Sequence, residues 1–434
     1  MGEKKSLVVI YIIFIILTLI TLLPIILYLV GFKKILIFYT RLYFFVILIY
    51  ISYRFSNLAY ADFKKGLFEK DTFSKFTVIV PCYNEDSELL KRSIQSVENA
   101  DGDKEVIIID DGSTNGIWET IKDLKEKYNN IIVHRFEENK GKRHALHWAF
   151  KKVHTKYIVT IDSDTLIDKY AFSYLLSPLS DNRIGATTGN IILLNEKRNL
   201  LTRVIASMYL CGLKNYKKAQ SALGNVICCS GCLSAYKTYL IKGIADQFLN
   251  QRFLGSAATH SEDRHLTNLI LERGYKVVYV ERAICYTETP HTLRSFLRQQ
   301  QRWKRRFVRE TIYLLSHSYK GSKSLFFEAT IGNALPFFLS LGIQVLIVAI
   351  LIFHPLHLLL VIIPSWLVFI TIKELPMFLE DPTRAIWFYL YIPLYEILLF
   401  WQNMWAIVTV NNADWLTRKI DVKEKNEENL DTNM

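Results

Sequence analysis

No Gly-x-Gly-x-x-Gly follows the first strand-like run of this chain, which reads Pro81-Cys82-Tyr83-Asn84-Glu85 and so excludes a dinucleotide-binding Rossmann domain. No phosphate-cradling P-loop is present either. Cysteine is scarce: the 434 residues hold six, Cys82, Cys211, Cys228, Cys229, Cys232 and Cys285, scattered along the chain. Such usage implies no disulfide frame and fits a reducing compartment. Cys229-x-x-Cys232 lacks a second Cys pair or a His pair at matching spacing, so no zinc site is expected there. Nucleic-acid motifs are missing although the formal net charge is +12. Lys and Arg gathered against anionic lipid account for that balance instead. The Met-Gly start with Ser6 matches a myristoylation pattern, but a helix that crosses the bilayer needs no such anchor.

Apolar residues are abundant: 51 % of the chain is hydrophobic and 13 % aromatic, more than one soluble core needs. Part of that mass must therefore face lipid. Leu7 to Val30 carries no charge, has Glu3, Lys4 and Lys5 before it, and exceeds the roughly 20 residues a spanning helix requires. It is too long for a signal peptide, and no small-x-small cleavage site follows. Ile35 to Tyr53 is a second apolar stretch, broken by Arg41 near one end, where its side chain can snorkel to the interface. Three more spans are expected at Pro336 to Phe353, Leu356 to Ile372 and Ile386 to Val410, with Pro364 and Pro393 kinking two of them. Glu396 is the one carboxylate well inside a late span. Gln344 and Gln402 are the polar groups expected to face a channel among these helices.

The reading divides the chain into a transmembrane hairpin (1–54), a cytoplasmic catalytic domain (55–290), amphipathic interface helices (291–335), C-terminal transmembrane helices (336–412) and a polar cytoplasmic tail (413–434). In the second part, short apolar runs at Phe76 to Val80, Glu105 to Asp110, Ile131 to Arg135 and Tyr157 to Asp162 alternate with helical patterns. Those patterns cover Ser87 to Asn99, Asn115 to Tyr128 and Arg143 to Val153. Alternation of this kind predicts an α/β domain with a mostly parallel sheet covered on both faces, binding ligands at the carboxyl ends of its strands. Asp110-Asp111 and Asp162-Ser163-Asp164 stand at two such ends. On an extended backbone the second pair turns both carboxylates to one side, where they can share a Mg²⁺ or Mn²⁺ that bridges a nucleotide diphosphate. Either motif alone also suits an ordinary acidic turn.

Eight strings run in order along the chain: Val80-Pro81-Cys82-Tyr83-Asn84-Glu85, Asp110-Asp111-Gly112-Ser113, Gly141-Lys142-Arg143, Asp162-Ser163-Asp164, Cys229-Ser230-Gly231, Glu262-Asp263-Arg264-His265-Leu266-Thr267, Gln299-Gln300-Gln301-Arg302-Trp303 and Trp415-Leu416-Thr417-Arg418. Together they resemble the inverting family-2 glycosyltransferases of GT-A fold. Specifically, they resemble the processive branch with hyaluronan synthases, chitin synthases and the nodulation chitooligosaccharide synthase. The resemblance implies that Tyr83, Glu85 and Asp111 hold the uridine of a UDP-sugar and that Lys142 and Arg302 meet its diphosphate. It further implies that Asp164 binds the metal with Asp162 beside it, and that Gln299, Trp303 and Cys229 contact the acceptor. Asp263 is the expected general base, since an inverting transfer needs one carboxylate to take the proton of the attacking hydroxyl. Glu262-Asp263 also reads as a helix start with Ser261 as cap.

Arg294 to Arg309 sets seven cations among Phe296, Leu297, Trp303 and Phe307, a composition suited to an amphipathic helix at a membrane surface. Two positions depart from hyaluronan-synthase pattern: Cys232 replaces a proline, and Ser261-Glu262 replaces Gly-Asp, the latter being closer to the chitin branch. The implied donor is UDP-GlcNAc, with UDP-GlcA as a second, and the acceptor is the growing polysaccharide. A single-transfer enzyme acting on a lipid-linked acceptor would need the nucleotide motifs but not Gln299-x-x-Arg302-Trp303. A transporter or non-catalytic scaffold would need none of them.

Overall fold

The structure is a computed structural model and describes residues 42, 45–54, 56–58, 75–258, 261–318, 322–342, 344, 363–395 and 399–412. The expected span at Leu7 to Val30, Glu396, Trp415 to Arg418 and the polar tail lie outside the described residues, as does most of the span at Pro336 to Phe353.

Strand β1 (Phe76–Cys82) and strand β2 (Lys104–Asp110) are almost continuous apolar runs, because helices cover both faces of the sheet. Val78, Val80, Val106 and Ile108 point to one side. There they pack on Leu90 and Ile94 of α1 (Ser87–Asn99) and on Ile117 and Ile121 of α2 (Ile117–Lys127). Ile79, Ile107 and Ile109 point to the other side, against Ala145, Ala149 and Phe150 of α3 (Lys142–Lys152). Asp86 caps α1, its side chain accepting the N–H of Glu88 at 2.9 Å and of Leu89 at 3.1 Å.

Strand β3 (Ile131–Arg135) forms one edge and β4 (Tyr157–Thr160) flanks β1 on its other side, all four strands being parallel. The predicted alternation of strand and helix thus holds from residue 76 to residue 160. Beyond it the sheet becomes mixed. Strand β7 (Ser234–Lys237) runs antiparallel to both β4 and β6 (Ile184–Leu193), and β10 (Lys276–Thr287) runs parallel to β6. The short β5 (Leu166–Ile167) closes the order β3-β2-β1-β4-β7-β6-β10-β5, and β8 (Arg252–Phe253) and β9 (Ser256–Ala257) make a separate small hairpin.

Between β6 and β7 the chain forms α4 (Leu200–Ser207), a wide π-helical stretch (Met208–Lys214) and α5 (Asn215–Leu223). Helices α6 (Thr238–Leu249) and α7 (Glu262–Glu272) follow on the α3 side of the sheet. The basic stretch expected at a membrane surface is α8 (Leu293–His317), and its packing differs from that expectation. Lys304, Arg305 and Arg309 are buried, and two of them bond the C-terminal helices. Lys304 Nζ donates to the Leu399 carbonyl, and Arg305 Nε donates to Thr409 Oγ1 at 2.9 Å, next to α10 (Phe400–Val408). Long cationic side chains that find buried acceptors serve packing as well as surface charge.

Helix α9 (Lys323–Gly342) passes without a break through the boundary expected at 335/336. Its π-helical turn, Glu328–Ala334, lies just before Pro336, where a wider turn accommodates a ring that cannot donate to the helix ladder. Among the described residues α9 is the one helix long and apolar enough to cross a membrane. Within the stretch expected as a span at Ile386 to Val410, the described residues form helices at Phe388–Leu394 and at α10, and residues 396–398 lie outside the described residues. Gln402 is buried and donates to the Leu297 carbonyl at 2.9 Å, which ties α10 to α8.

Candidate active site

In-register pairing of Cys82 with Asp110 brings the ends of β1 and β2 together, and Ile161 N–H bonds the Ile79 carbonyl at 3.1 Å to carry β4's exit to the same edge. Tyr83, Glu85, Asp111, Asp162 and Asp164 therefore gather at one rim, as the strand-end argument predicts. The rim is internally bonded. Asn84 N–H donates to Ser113 Oγ at 2.8 Å, Ser113 N–H donates to Asp110 Oδ1 at 2.9 Å, and Arg135 Nε pairs with Asp110 Oδ2 at 3.2 Å. Glu85 Oε2 accepts Ser163 Oγ–H at 2.9 Å and so joins the first loop to the Asp162-Ser163-Asp164 turn. Asp111 receives the N–H groups of Lys140 at 2.9 Å and Gly141 at 2.8 Å, fixing the loop that starts α3. Gly112 allows this approach: its φ is +72°, and a Cβ there would stand 2.4 Å from the Glu138 carbonyl carbon.

Asp162 and Asp164 lie past the end of β4 and not within the strand. β4 ends at Thr160, and the pair occupies a turn closed by Thr165 N–H to the Asp162 carbonyl at 3.1 Å. The two carboxylates consequently meet different surroundings. Burial acts to raise the Asp162 carboxyl, but the Lys142 ammonium beside it and the Cys232 thiol, whose Sγ lies 3.6 Å from Oδ2, hold it below the usual range. Asp164 accepts a weak bond from Thr165 Oγ1–H at 3.4 Å, and burial, then Asp162 and Glu85, push it up to about 7 against the pull of Lys142.

Asp263 is the second residue of α7 and Glu262 the first. Ser261 is not the expected side-chain cap. Its φ is +85°, a left-handed conformation that an N-capping serine does not adopt, and its buried Oγ has no hydrogen-bond partner among the described residues. Burial would raise the Glu262 carboxyl, but Arg306, Lys142 and Arg143 together bring it down to about 2. The helix start thus sets a carboxylate that is ionised near neutral pH immediately before Asp263 in the chain.

The loop Cys229-Ser230-Gly231 bridges α7 and the donor rim. Cys229 N–H donates to Thr267 Oγ1 at 2.9 Å, and Thr267 Oγ1–H donates to the Asp263 carbonyl at 2.6 Å. A Cβ on Gly231 would stand 2.9 Å from Lys142 Nζ and 3.0 Å from Asp162 Oδ1. The Cys229 side chain, expected at the acceptor, is instead wholly buried in the core shared with Ile227 and Leu266. Only Ser230 and Gly231 of this string stay partly exposed.

Gln299, Arg302 and Trp303 lie on α8, all partly buried. The Trp303 ring is 6.5 Å from that of Tyr209 on the π-helical stretch. Tyr209 in turn senses the rim: burial, then Cys232, Asp164 and Cys285, raise its phenol well above the ordinary value, with Arg302 opposing. The Gln299 Oε1 is buried with no hydrogen-bond partner among the described residues.

A buried network behind the rim joins three functional helices. Arg143 Nη2 donates to Gln251 Oε1 at 2.9 Å, and Gln251 Nε2 donates to Glu310 Oε1 at 2.9 Å. Glu310 Oε2 accepts Asn268 Nδ2–H at 3.2 Å and faces His265 Nδ1 at 3.4 Å, while Arg309 Nε donates to Oε1 at 3.3 Å. Burial opposes ionisation of Glu310, yet His265, then Arg309 and Gln251, hold it at about 2, and burial pulls the His265 imidazole below its ordinary value against the opposing pull of Glu310. Glu310 therefore links α3, α7 and α8. Tyr209 and Glu310 cannot be picked out from sequence, since each reaches the rim through partners distant in the chain.

With this geometry in place, the comparisons agree. Residues 77–244 match the sequence profile of Glycosyl transferase family 2. A hyaluronan synthase of Streptococcus pyogenes is 32 % identical over 425 residues, covering 89 % of this chain and 98 % of that protein. An N-acetylglucosaminyltransferase of Azorhizobium caulinodans is 30 % identical over 354 residues, covering 79 % and 87 %. The fold is shared with a mannosyltransferase of Pyrobaculum calidifontis solved with GDP-Man and Mn²⁺. That match has a TM-score of 0.58 at 19 % identity and covers 84 % of this chain and 98 % of that one. The chain belongs to glycosyl transferase family 2, in the branch that holds hyaluronan synthase and the rhizobial N-acetylglucosaminyltransferases.

Proposed function

We propose that the protein is a processive inverting glycosyltransferase that extends a β-linked polysaccharide, hyaluronan-like or chitin-like, from UDP-sugars on the cytoplasmic side of a membrane and passes the product across it. The observation that carries this reading is the bridge made by Cys229-Ser230-Gly231, which ties the backbone of Asp263 to the Lys142–Asp162 pair. Asp263 takes the proton of the acceptor hydroxyl as its oxygen attacks the anomeric carbon and the bond to UDP breaks on the opposite face. No covalent intermediate forms, so the anomeric configuration inverts. Lys142 and Arg302 neutralise the departing diphosphate, and Tyr83, Glu85 and Asp111 hold the uridine. Gln299, whose oxygen has no partner among the described residues, and Trp303, with its flat ring, receive the acceptor sugar.

The rim fits a divalent cation. Asp162 pairs with the Lys142 ammonium, while Asp162 and Glu85 both act on Asp164, so the raised Asp164 carboxyl marks negative charge that this one ammonium leaves uncompensated. Among the described residues no three His, Cys, Asp or Glu side chains converge to ligate a metal. Asp164, with Asp162 beside it, would thus share Mg²⁺ or Mn²⁺ with substrate phosphates, as such ions prefer. The bound ion would supply Lewis-acid stabilisation of the leaving diphosphate.

A membrane setting is supported by α9 and by the apolar side chains that the C-terminal helices expose, among them Leu379, Ile386, Trp401, Trp405 and Val408. The full chain incubated with UDP-GlcNAc, alone and with UDP-GlcA, in Mn²⁺ or in excess chelator, should give long polymer only with metal. Trp303→Ala should release UDP but make little long product. Wild-type product length from Trp303→Ala would favour single transfer to a lipid-linked acceptor, and full activity in chelator would remove the metal.

A further inference from the structure

Three lysines enter α5 within five residues, and one of them differs from the others. Lys214 Nζ pairs with Glu281 at 2.7 Å and with Glu380, and Lys218 Nζ pairs with the same two carboxylates at 3.1 and 3.4 Å. Lys217 Nζ donates to Ser230 Oγ at 3.1 Å, and among the described residues it has no carboxylate partner. It is partly buried, so an ammonium with two further N–H groups is held half out of water on one neutral hydroxyl. Charge in that state is costly unless an anion joins it.

Its place in the site follows from the loop it touches. Ser230 bonds Lys217; the preceding residue bonds Thr267, which bonds the Asp263 carbonyl; the following residue abuts Lys142 and Asp162. Lys217 and Asp263 also flank Cys228, whose thiol is raised to about 11 by burial and then by Asp263, with Lys217 pulling the other way. The diphosphate already has Lys142, on the Asp162 side of the loop. A second cation reached through Ser230 is free for an anion elsewhere on the substrate.

We infer that Lys217 is the counter-charge for a carboxylate carried by the sugar, making it the residue that selects a hexuronate over its neutral counterpart. This rests on the UDP-sugar reading above. Relative kcat/KM should be measured for UDP-GlcA, UDP-Glc and UDP-GlcNAc with the wild-type chain, Lys217→Met and Lys217→Arg. The wild type should prefer UDP-GlcA to UDP-Glc, which differ only in the carboxylate. Lys217→Met should lower the ratio of UDP-GlcA to UDP-GlcNAc use by roughly 10- to 100-fold, the scale of one charge-assisted hydrogen bond, while Lys217→Arg retains most of it. An unchanged ratio in Lys217→Met overturns the inference. So does a wild type that takes UDP-Glc as readily as UDP-GlcA, or that uses UDP-GlcNAc alone, and neither result depends on a variant folding. Transfer from none of the three would instead refute the reading of the site itself, and the inference with it.

Discussion

Glu310 makes no contact with the expected substrates, yet the account requires it to matter to both stability and turnover. Its side chain is wholly buried and receives Gln251, Asn268 and Arg309, with His265 alongside. Glu310→Ala would leave the buried Arg309 guanidinium without its carboxylate, a loss of about 3 to 5 kcal/mol for a broken buried pair. Glu310→Gln keeps the volume and one acceptor but turns an amide N–H toward existing donors, and should cost about 1 to 3 kcal/mol. Because Gln251 leads to Arg143 beside Lys142, and Asn268 and His265 lie on the helix of Asp263, the loosened network should misplace the proposed base and the proposed diphosphate cation together. A shift of the barrier by about 1.4 kcal/mol is tenfold in rate, so Glu310→Gln should reduce kcat by about an order of magnitude with a smaller change in UDP affinity. Thermal unfolding of the solubilised full chain, titration with UDP and steady-state turnover measure the three quantities. Wild-type melting temperature and wild-type kcat in Glu310→Gln would refute the hub.

Ser261→Gly should raise the melting temperature by a few degrees, since it relieves a left-handed serine at about 1 kcal/mol and removes an unpartnered buried hydroxyl; a fall would refute the strain argument. Acid should destabilise the domain through Glu262 and Glu310, both at about 2 when folded against an ordinary 4.5. Folded values below the unfolded one confer stability that is complete above pH 4.5 and lost as pH falls toward 2, up to about 3 kcal/mol for each group. Urea midpoints from pH 7 to pH 3 should therefore drop mainly below pH 4.5, and less steeply in Glu262→Gln; a midpoint independent of pH would contradict the ionised pair.

The first half of the sheet was legible because its determinants are local. β1 to β4 and α1 to α3 follow from short apolar runs separated by helical spacing, and their carboxyl ends carry the acidic strings. The antiparallel β7 was not legible: Ser234-Ala235-Tyr236-Lys237 has no alternation of its own and is a strand because β4 and β6 lie on either side. Ser261 matched a cap by residue type, but capping needs extended backbone, and the chain turns left-handed there. The basic residues of α8 read as a surface pattern, since sequence shows charge and not the carbonyls that receive Lys304 or the hydroxyl that receives Arg305. Lys217 looked like its neighbours for the same reason, and only the positions of Glu281, Glu380 and Ser230 separate the three lysines.

Asp263 is the proposed base of the inverting transfer, and Asp263→Asn tests that role most directly. The substitution preserves shape and the Thr267 bond to the backbone carbonyl, so UDP binding in Mn²⁺, measured by titration calorimetry, should stay within about threefold of wild type. Turnover of the UDP-sugar into polymer should fall by at least about 100-fold, the lower end of what general base catalysis contributes. Near-normal UDP binding with polymer synthesis lost is the predicted result. Polymer made at the wild-type rate by Asp263→Asn would contradict it.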